Sequence, residues 1–339
     1  MNNDHKVECL LCKNSAKLMH RNFPGYQEPD TFEIYYCPSC NTSFSLPRVE
    51  TASIYENIYK NGRNVPGYDR YWDFAETVNK IAKPLEYLAE NEEAYWSIKE
   101  ALTIYVKDKK TTKILEIGSG LGYLTYSLIK ENYDVLGLDI SNTAVNQAIK
   151  IFGEHYICTD IFEYALHYAE TFDIVILTEV IEHIDKPLDF IEVIKKLLKP
   201  NGKAIITTPN KSFFTKDILW ISDLPPVHCW WLSEDSMKYI GNKLGLKIEF
   251  LNFIKYYQKH YKAVNLKVLR NNQIQRPMLN ENGLLISRKI ENRNSFFHTY
   301  FFQIPCLKYI YRLLRDYFNS NIIVCKEKGT VLCTILEKI

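Results

Sequence analysis

The sequence lacks the features that mark several large classes of protein. Only 13 of its 339 residues are glycine and 13 are proline, while 46% are hydrophobic and 24% charged, which excludes collagen-like, low-complexity and disordered chains. No apolar run approaches the roughly 18–20 residues that cross a bilayer, and residues 1–6 are polar, unlike a secretory signal. We therefore expect a cytoplasmic globular protein with one large or two modest domains.

A strong net charge is also missing, since the whole chain carries only +2. The charge is nevertheless unevenly distributed along the sequence. Residues 255–320 contain twelve Lys or Arg against three acidic residues, so this basic segment carries +9 and the rest of the chain −7. Such an asymmetry suggests an anionic partner or surface for the C-terminal third.

Four of the nine cysteines form two CxxC pairs near the N-terminus. Disulfides are rare in cytoplasmic proteins, whereas two CxxC pairs can place four thiolates around one tetrahedral zinc ion. The pattern predicts a zinc ribbon over residues 1–48, and its structural ligands are Cys9, Cys12, Cys37 and Cys40. Coincidental cysteines in a small core are the alternative. A redox pair is disfavoured because no βαβ pattern surrounds Cys9.

Residues 111–210 alternate between apolar strands and amphipathic helices, which predicts an α/β fold with a parallel sheet covered on both faces. The predicted strands are 113–117, 133–138, a short strand that ends at Asp160, 172–177 and 203–208, and the predicted helices are 123–130 and one from Asp185 and Pro187 to the Pro200–Gly202 stop. Asn132 is placed for a left-handed helix end. Strands at 246–253 and 329–336 bring the sheet to seven.

A glycine-rich turn follows the first predicted strand. Gly118, Gly120 and Gly122 are spaced GxGxG, and glycines in such a turn let the backbone approach a ligand closely. Tyr123 stands where a dinucleotide-binding fingerprint has its third glycine, so a dinucleotide is disfavoured. Asp139 lies 21 residues after Gly118 at a strand end, where an acidic side chain can bind a ribose diol.

Five motifs in this region together resemble class I S-adenosylmethionine-dependent methyltransferases. They are Ile114–Gly122, Gly137–Ser141, Asp160–Ile161, Glu179–His183 and Leu198–Gly202. The resemblance covers about residues 75–255 and the C-terminal strand, and bacterial members with an N-terminal CxxC ribbon are similar along nearly the whole chain. It implies a Rossmann-like seven-stranded methyltransferase sheet and a transferase that uses S-adenosylmethionine.

The resemblance also implies which residues bind this cofactor. The glycine turn together with Glu116 would hold the methionine part, and Asp139 the ribose hydroxyls. Asp160 and Ile161 would contact the adenine. Ile140, beside Asp139, and Glu179, after the fourth strand, complete the predicted cofactor site.

The turn after the fourth strand carries candidates for catalysis. The methyl group is already electrophilic, so the protein has mainly to hold a nucleophile in line at about 3–3.5 Å. A hydroxyl nucleophile also needs a base or a cation. Glu179, Glu182 and His183 lie at the sheet edge where ligands bind, and in a helical turn Glu179 would share a face with the other two. They are a candidate site for Mg²⁺ or another divalent ion.

A downstream segment, 225–233, adds His228 before an aromatic-Ser helix start. An ExxEH turn followed by such a histidine resembles metal-dependent small-RNA 3′-end 2′-O-methyltransferases and ubiquinone-pathway O-methyltransferases. The resemblance implies Glu179, Glu182, His183 and His228 as metal ligands. Two alternatives stay open: His183 or His228 acts as a general base without metal, or neither is catalytic and both line the pocket.

The predicted domains are the ribbon (1–48), a helical connector or lid (49–110), the cofactor-binding core (111–255 with 329–339) and a basic aromatic helical cap (256–328). In the cap, Leu307, Ile310 and Leu314 alternate with basic residues as in an amphipathic helix. Packing on the core is the simplest role for this helix. A lid over a phosphorylated acceptor, peripheral contact with a membrane carrying lipid-linked sugars and binding of single-stranded nucleic acid are alternatives.

These observations predict methyl transfer to an oxygen of a small, anionic acceptor. The resemblance to ribbon-bearing relatives favours a sugar, nucleotide-sugar or glycolipid of bacterial surface-polysaccharide metabolism. One alternative is a metal-assisted RNA 2′-O-methyltransferase whose ribbon and cap grip the strand. Another is a non-catalytic binding module with a degenerate site, and the intact glycine and acidic motifs argue against it.

Overall fold

The computed structural model describes residues 7–65, 68–213, 223–259, 277–286 and 327–339. In chain order the elements are β1 (Val7–Glu8), β2 (Ser15–Pro24), β3 (Thr31–Cys37), β4 (Thr42–Leu46), α1 (Ala52–Asn61), α2 (Asp69–Val78), α3 (Pro84–Asn91), α4 (Glu93–Tyr105), β5 (Lys113–Ile117), α5 (Tyr123–Lys130), β6 (Asp134–Asp139), α6 (Asn142–Phe152), β7 (Tyr156–Cys158), α7 (Ile161–Tyr164), β8 (Phe172–Thr178), α8 (Pro187–Leu197), β9 (Leu198–Pro209), β10 (Trp230–Trp231), α9 (Glu234–Lys243), β11 (Leu246–Phe250), α10 (Ile254–Lys259) and β12 (Val331–Lys338). None of the described helices combines the length and the hydropathy that a membrane-spanning helix requires.

The larger sheet has seven strands in the order β11-β12-β9-β8-β5-β6-β7. The pairs β5–β6, β6–β7, β5–β8 and β8–β9 are parallel, whereas β12 runs antiparallel to β9 and β11. This confirms the predicted Rossmann-like sheet. The chain winds outward through β6 and β7 and then returns to β8, so the carboxyl ends of β5 and β8 flank the crevice where open α/β sheets bind ligands.

Apolar residues on both faces of this sheet explain its layered packing. The central strand β5 buries Ile114, Leu115 and Ile117, as expected for a parallel strand covered on both sides. Side chains of α2–α6 form a core on one face, and side chains of α7, α8 and α9 form a core on the other. Helix α4 belongs to the first of these cores, because its Ile98 and Leu102 pack with sheet residues. The domain boundaries stay a prediction.

Both predicted helix ends are found in the structure. Asn132 has φ +66° after α5, which confirms the predicted left-handed helix end. Helix α8 ends at Leu197, which confirms the predicted helix stop, and Pro200–Gly202 belong to β9, whose register against β8 jumps between Leu198 and Lys203. Pro200 disfavours the helical conformation for the residue before it, and Asn201 at φ +63° accommodates the extra residues as a bulge.

The smaller sheet is antiparallel in the order β1-β2-β3-β4-β10. Its last strand comes from far along the chain, and Trp230 lies opposite Phe44 of β4. Residues 277–286 pack on the other side of this unit, where Met278 and Leu279 are buried with Ile54 of α1 and Phe23 of β2. The predicted cap helix around 307–317 and most of the basic segment lie outside the described residues.

Candidate functional site

The glycine turn between β5 and α5 is tightly enclosed. Gly118, Gly120 and Gly122 all have positive φ, at +74°, +50° and +80°, a backbone region that favours glycine. A Cβ on Gly118 would lie 2.5 Å from a methyl carbon of Val180, and one on Gly122 would lie 2.6 Å from Cβ of Ala148. The turn after β5 therefore touches the turn after β8, as expected at the switch point of the sheet.

Asp139 ends β6 beside this turn and holds it in place. One oxygen of its carboxylate accepts a hydrogen bond from the backbone N–H of Gly120 at 2.7 Å, and the other accepts one from Ser141 at 2.8 Å. Burial raises the pKa of Asp139, while these hydrogen bonds partly oppose the shift. A carboxylate has about four acceptor positions, so two backbone bonds leave capacity for a ribose diol.

Ile140, the next residue, is an apolar side chain in an unusual place. It is 74% exposed, although isoleucine is among the residue types most often buried. Ile140 directly follows Asp139, so a purine ring attached to a ribose on Asp139 would cover this apolar surface. The exposure of Ile140 is therefore consistent with its predicted place in the cofactor site.

The other predicted cofactor residues already have structural partners. Asp160 caps the N-terminus of α7 by accepting a hydrogen bond from the N–H of Phe162 at 2.6 Å, and Ile161 is buried in the core. Glu116 is buried and accepts a hydrogen bond from the hydroxyl of Thr125. Burial raises the pKa of Glu116 to about 8. Cofactor roles for these three residues stay predictions.

The turn after β8 is not α-helical, so the helical turn in which Glu179 would share a face with Glu182 and His183 does not form. Glu179 has φ +54°, and its N–H donates to the backbone oxygen of Thr207 at 3.1 Å. A single 3₁₀ turn over Ile181–His183 follows. The left-handed backbone at Glu179 places this residue before the turn rather than on it.

Glu182, His183 and His228 nevertheless come together. Each offers a possible ligand atom, and these atoms all lie within 4.8 Å of one another. Nε2 of His183 is 3.9 Å from a carboxylate oxygen of Glu182, and the centroids of the two imidazole rings are 4.4 Å apart. Glu179, the fourth predicted ligand, does not belong to this group. We call these three residues the Glu-His-His cluster.

The segment that carries His228 is fastened to the turn after β8. The N–H of Cys229 donates to the backbone oxygen of Glu182 at 3.0 Å. The indole N–H of Trp230 donates to the backbone oxygen of Ile184 at 2.7 Å. These two bonds hold His228 beside His183, although the two residues are 45 positions apart in the sequence.

Burial dominates the electrostatics of this site. It raises the pKa of Glu179 to about 7 and that of Glu182 well above its ordinary value. Burial also lowers the pKa of His183 and of His228 to about 3. Both imidazoles are therefore neutral near pH 7, and a neutral imidazole has a lone pair that can bind a metal ion or accept a proton.

Two residues near the site were not singled out by the sequence analysis. The positive charge of Arg70 lowers the pKa of Glu179, against the larger effect of burial, and its guanidinium contacts Glu92 at 3.3 Å. The carboxylate of Asp223 lies 3.7 Å from Nδ1 of His228. No motif marks either residue, because each reaches the site through tertiary packing alone.

The four N-terminal cysteines form a second cluster. All four are buried, and their sulfur atoms lie within 4.8 Å of one another. The Sγ atoms of Cys9 and Cys40 are 3.7 Å apart, and those of Cys12 and Cys37 are 3.5 Å apart. Four thiolates at about 2.3 Å from a tetrahedral zinc ion would be separated by about 3.8 Å. The observed spacing therefore fits a zinc ion.

The four-cysteine cluster is joined to the segment that carries His228. Strand β4 continues from the second CxxC pair and pairs with β10, and the N–H of Ser45 donates to the backbone oxygen of Cys229 at 3.2 Å. The hydroxyls of Thr42 and Ser236 are 2.7 Å apart, and Ser236 donates to the backbone oxygen of Cys40 at 3.2 Å. The N-terminal sheet thus holds the segment that carries His228 of the Glu-His-His cluster.

Comparisons with known proteins point to one family. The family model described as "Methyltransferase domain" matches residues 75–250. The ubiquinone biosynthesis O-methyltransferase of Aliivibrio fischeri is 31% identical over 108 residues, 30% of this chain and 45% of the relative, and that of Coxiella burnetii is 33% identical over 120 residues, 32% and 50%. The chain thus spans about half the length of the curated relatives it matches.

Among solved structures, a SAM-dependent methyltransferase from Archaeoglobus fulgidus matches with a TM-score of 0.44 and 17% identity. The match covers 71% of this chain and 93% of that one.

Proposed function

We infer that this chain, which belongs to the class I S-adenosylmethionine-dependent methyltransferases, transfers a methyl group to an oxygen atom of a small-molecule acceptor. One contact carries the proposal. Gly118 of the glycine turn abuts Val180, which directly follows Glu179 and lies two residues before Glu182. A cofactor held by the glycine turn would therefore present its reactive end beside the Glu-His-His cluster.

The proposed cofactor seat uses residues on both sides of the crevice. Bound S-adenosylmethionine supplies an electrophilic methyl group on a sulfonium sulfur. Asp139 binds the ribose hydroxyls through its remaining acceptor positions, and Ile140 covers one face of the adenine. The left-handed glycines bring the backbone of the turn close to the methionine part, with Glu116 behind it.

The Glu-His-His cluster fits a divalent cation in the chemistry of its donors. One carboxylate and two neutral imidazoles are ligands that suit Mn²⁺, Fe²⁺ or Zn²⁺, whereas Mg²⁺ prefers oxygen ligands. A cation bound there would lower the pKa of an acceptor hydroxyl. Glu182 and the two histidines would hold the ion, and Glu179, three residues before Glu182, would accept the hydroxyl proton or orient the acceptor.

We also propose that Cys9, Cys12, Cys37 and Cys40 bind a structural zinc ion. Four protein ligands leave no open position on a tetrahedral ion, so the role of this site is to stabilise the fold. The sulfur spacing and the burial of all four cysteines support the proposal.

The curated relatives named above are O-methyltransferases, which supports oxygen as the acceptor atom. The predicted sugar, nucleotide-sugar or glycolipid acceptor is a finer proposal that rests on the resemblance to ribbon-bearing relatives. Radioactive methyl transfer to a panel of sugars, nucleotide-sugars, glycolipids, phenols and short RNAs tests it. Product mass spectra with a new O-methyl group on a small molecule would support the proposal, and methylation of RNA or of nitrogen alone would contradict it.

A single added methyl group tests the contact between the two turns. In Gly118→Ala the new Cβ would meet Val180 at 2.5 Å in a backbone conformation that alanine rarely adopts. We expect the affinity for S-adenosylmethionine, measured by calorimetry, to fall at least about tenfold, which corresponds to about 1.4 kcal/mol.

Gly153→Ala is the matched control for this substitution, because Gly153 also has positive φ but its Cβ would meet no atom closer than 3.9 Å. If both variants bind the cofactor with the same affinity, the glycine turn does not form the seat.

Removal of loosely bound cations tests the role of the Glu-His-His cluster. After treatment with EDTA under conditions that leave one zinc per chain, we expect turnover to fall at least about tenfold and to return when Mn²⁺ is added. Glu182→Gln should abolish the response to Mn²⁺, and Glu192→Gln, which alters an exposed carboxylate on α8, should not. Full turnover after EDTA treatment, with the zinc retained, would eliminate the metal-assisted reaction.

A further inference from the structure

The two histidines of the Glu-His-His cluster are held in different ways. Nδ1 of His183 lies 2.6 Å from the backbone oxygen of Val227. A carbonyl oxygen can only accept a hydrogen bond, so Nδ1 of His183 carries the proton and the lone pair is on Nε2. Nε2 is the atom that faces Glu182. The contact with Val227 thus favours cation binding through Nε2, and the backbone of Glu179 also forms a hydrogen bond with this imidazole.

In His228, by contrast, Nδ1 faces a carboxylate. Oδ1 of Asp223 lies 3.7 Å from Nδ1 of His228, and the side chain of Asp223 is 4% exposed. A carboxylate is a stronger acceptor than a carbonyl oxygen and favours a proton on the facing nitrogen. Asp223 would therefore leave the lone pair of His228 on Nε2, in the same tautomer as His183.

The local backbone explains why Asp223 and His228 meet. The N–H of His228 donates to the backbone oxygen of Leu224 at 3.0 Å, which closes one tight turn and brings the preceding Asp223 beside the imidazole. Leu224 and Val227 are buried in a core formed with β2, β3 and α1. The N–H of Tyr26 in the N-terminal unit donates to the backbone oxygen of Pro225 at 2.6 Å. Backbone hydrogen bonds and the surrounding apolar core thus fix the conformation of the turn between Asp223 and His228.

We propose that Asp223 is a positioning residue that fixes the tautomer and the ring orientation of His228 and so completes the cation site. The proposal rests on the divalent cation proposed above. Carboxylates that orient a metal-binding histidine from behind typically contribute 10- to 100-fold to metal affinity. Asp223 lies outside the sequence motif, whose four residues are those that could contact the ion.

The experiment measures Mn²⁺ affinity by electron paramagnetic resonance on protein that retains its zinc. We expect Asp223→Ala to weaken Mn²⁺ binding 10- to 100-fold. Asp223→Asn should lose less, because its amide oxygen can still face Nδ1 of His228 as an acceptor. Asp189→Ala removes the same charge from an exposed position at the start of α8, and we expect its Mn²⁺ affinity to equal that of the parent. Unchanged S-adenosylmethionine affinity shows that each variant is folded.

Nitrogen-15 spectra of the histidine side chains in cation-free protein provide a second readout, with His228 assigned from the His228→Gln variant. We expect His228 to carry its proton on Nδ1 in the parent and to lose this preference in Asp223→Ala. Parent-like Mn²⁺ affinity together with an unchanged His228 tautomer would overturn the proposal.

If the parent binds no Mn²⁺, the proposed cation site is wrong. The tautomer measurement by itself then decides whether Asp223 orients His228. A tautomer that shifts in Asp223→Ala supports a role in orienting His228, and one that does not shift overturns it.

Discussion

Asp139→Ala is expected to lower the affinity for S-adenosylmethionine at least about 100-fold while the chain stays folded. Hydrogen bonds to a charged group contribute about 1.5–3 kcal/mol each, and a ribose diol would make two with this carboxylate. The substitution also removes the acceptor for the N–H of Gly120, which loosens the glycine turn itself. Titration calorimetry measures the affinity, and circular dichroism with thermal unfolding tests the fold.

Asp134→Ala is the matched control for this prediction. Asp134 begins the same strand, β6, but lies exposed at the opposite edge of the sheet. We expect its affinity for S-adenosylmethionine to equal that of the parent. An Asp139→Ala variant with parental affinity would refute the assignment of Asp139 to the ribose.

Cys37→Ser is expected to release the zinc ion and to unfold the N-terminal sheet. Structural zinc contributes on the order of 10–16 kcal/mol of folding free energy in small zinc-binding units. The small apolar core of this sheet cannot supply that much stability. Loss of this sheet removes the partner of β10, and with it the support for His228. We therefore expect turnover to fall at least about tenfold, whereas the affinity for S-adenosylmethionine changes little because the glycine turn lies on other elements.

Zinc analysis, turnover and calorimetry on the same preparations separate these effects. Ser39→Ala changes an exposed residue inside the same CxxC pair that contributes no thiol, and it should retain zinc and turnover. A Cys37→Ser protein that keeps one equivalent of zinc would argue against the ribbon, and one that loses zinc but keeps full turnover would show that the N-terminal sheet does not support the site.

The glycine turn and Asp139 could be predicted because their signals are local. A strand, a GxGxG turn and a helix follow one another within twenty residues, and the backbone of each glycine has the positive φ that the spacing indicates. Asn132 is a second local signal of this kind. The order of the seven strands then follows from the connection rules for parallel sheets and from the family resemblance.

The composition of the Glu-His-His cluster could be predicted only in part. His228 was expected beside Glu182 and His183, and the structure places it there. Glu179 was expected in the same group, but the structure does not place it there, and residue spacing gives no sign of its left-handed φ value. Asp223 was missed because a single aspartate before Leu224 has no periodicity or motif to mark it.

The pairing of β10 with β4 could not be predicted from the sequence, because the two strands are far apart in the chain. Strand β10 has two residues and joins β4, about 186 positions earlier in the chain, through Trp230 opposite Phe44. A two-residue strand is too short to show the alternation by which strands are recognised. The connection between the four-cysteine cluster and the segment that carries His228 is therefore visible only in the folded structure.

A crystal structure of the zinc-loaded protein with S-adenosylhomocysteine tests the central claim most directly. The account predicts the ribose hydroxyls on the carboxylate of Asp139, the adenine over Ile140, and the sulfur directed toward Glu182 and His228 across the turn at Gly118. An empty crevice at a saturating concentration of the compound, or a different nucleotide retained in its place, would contradict it.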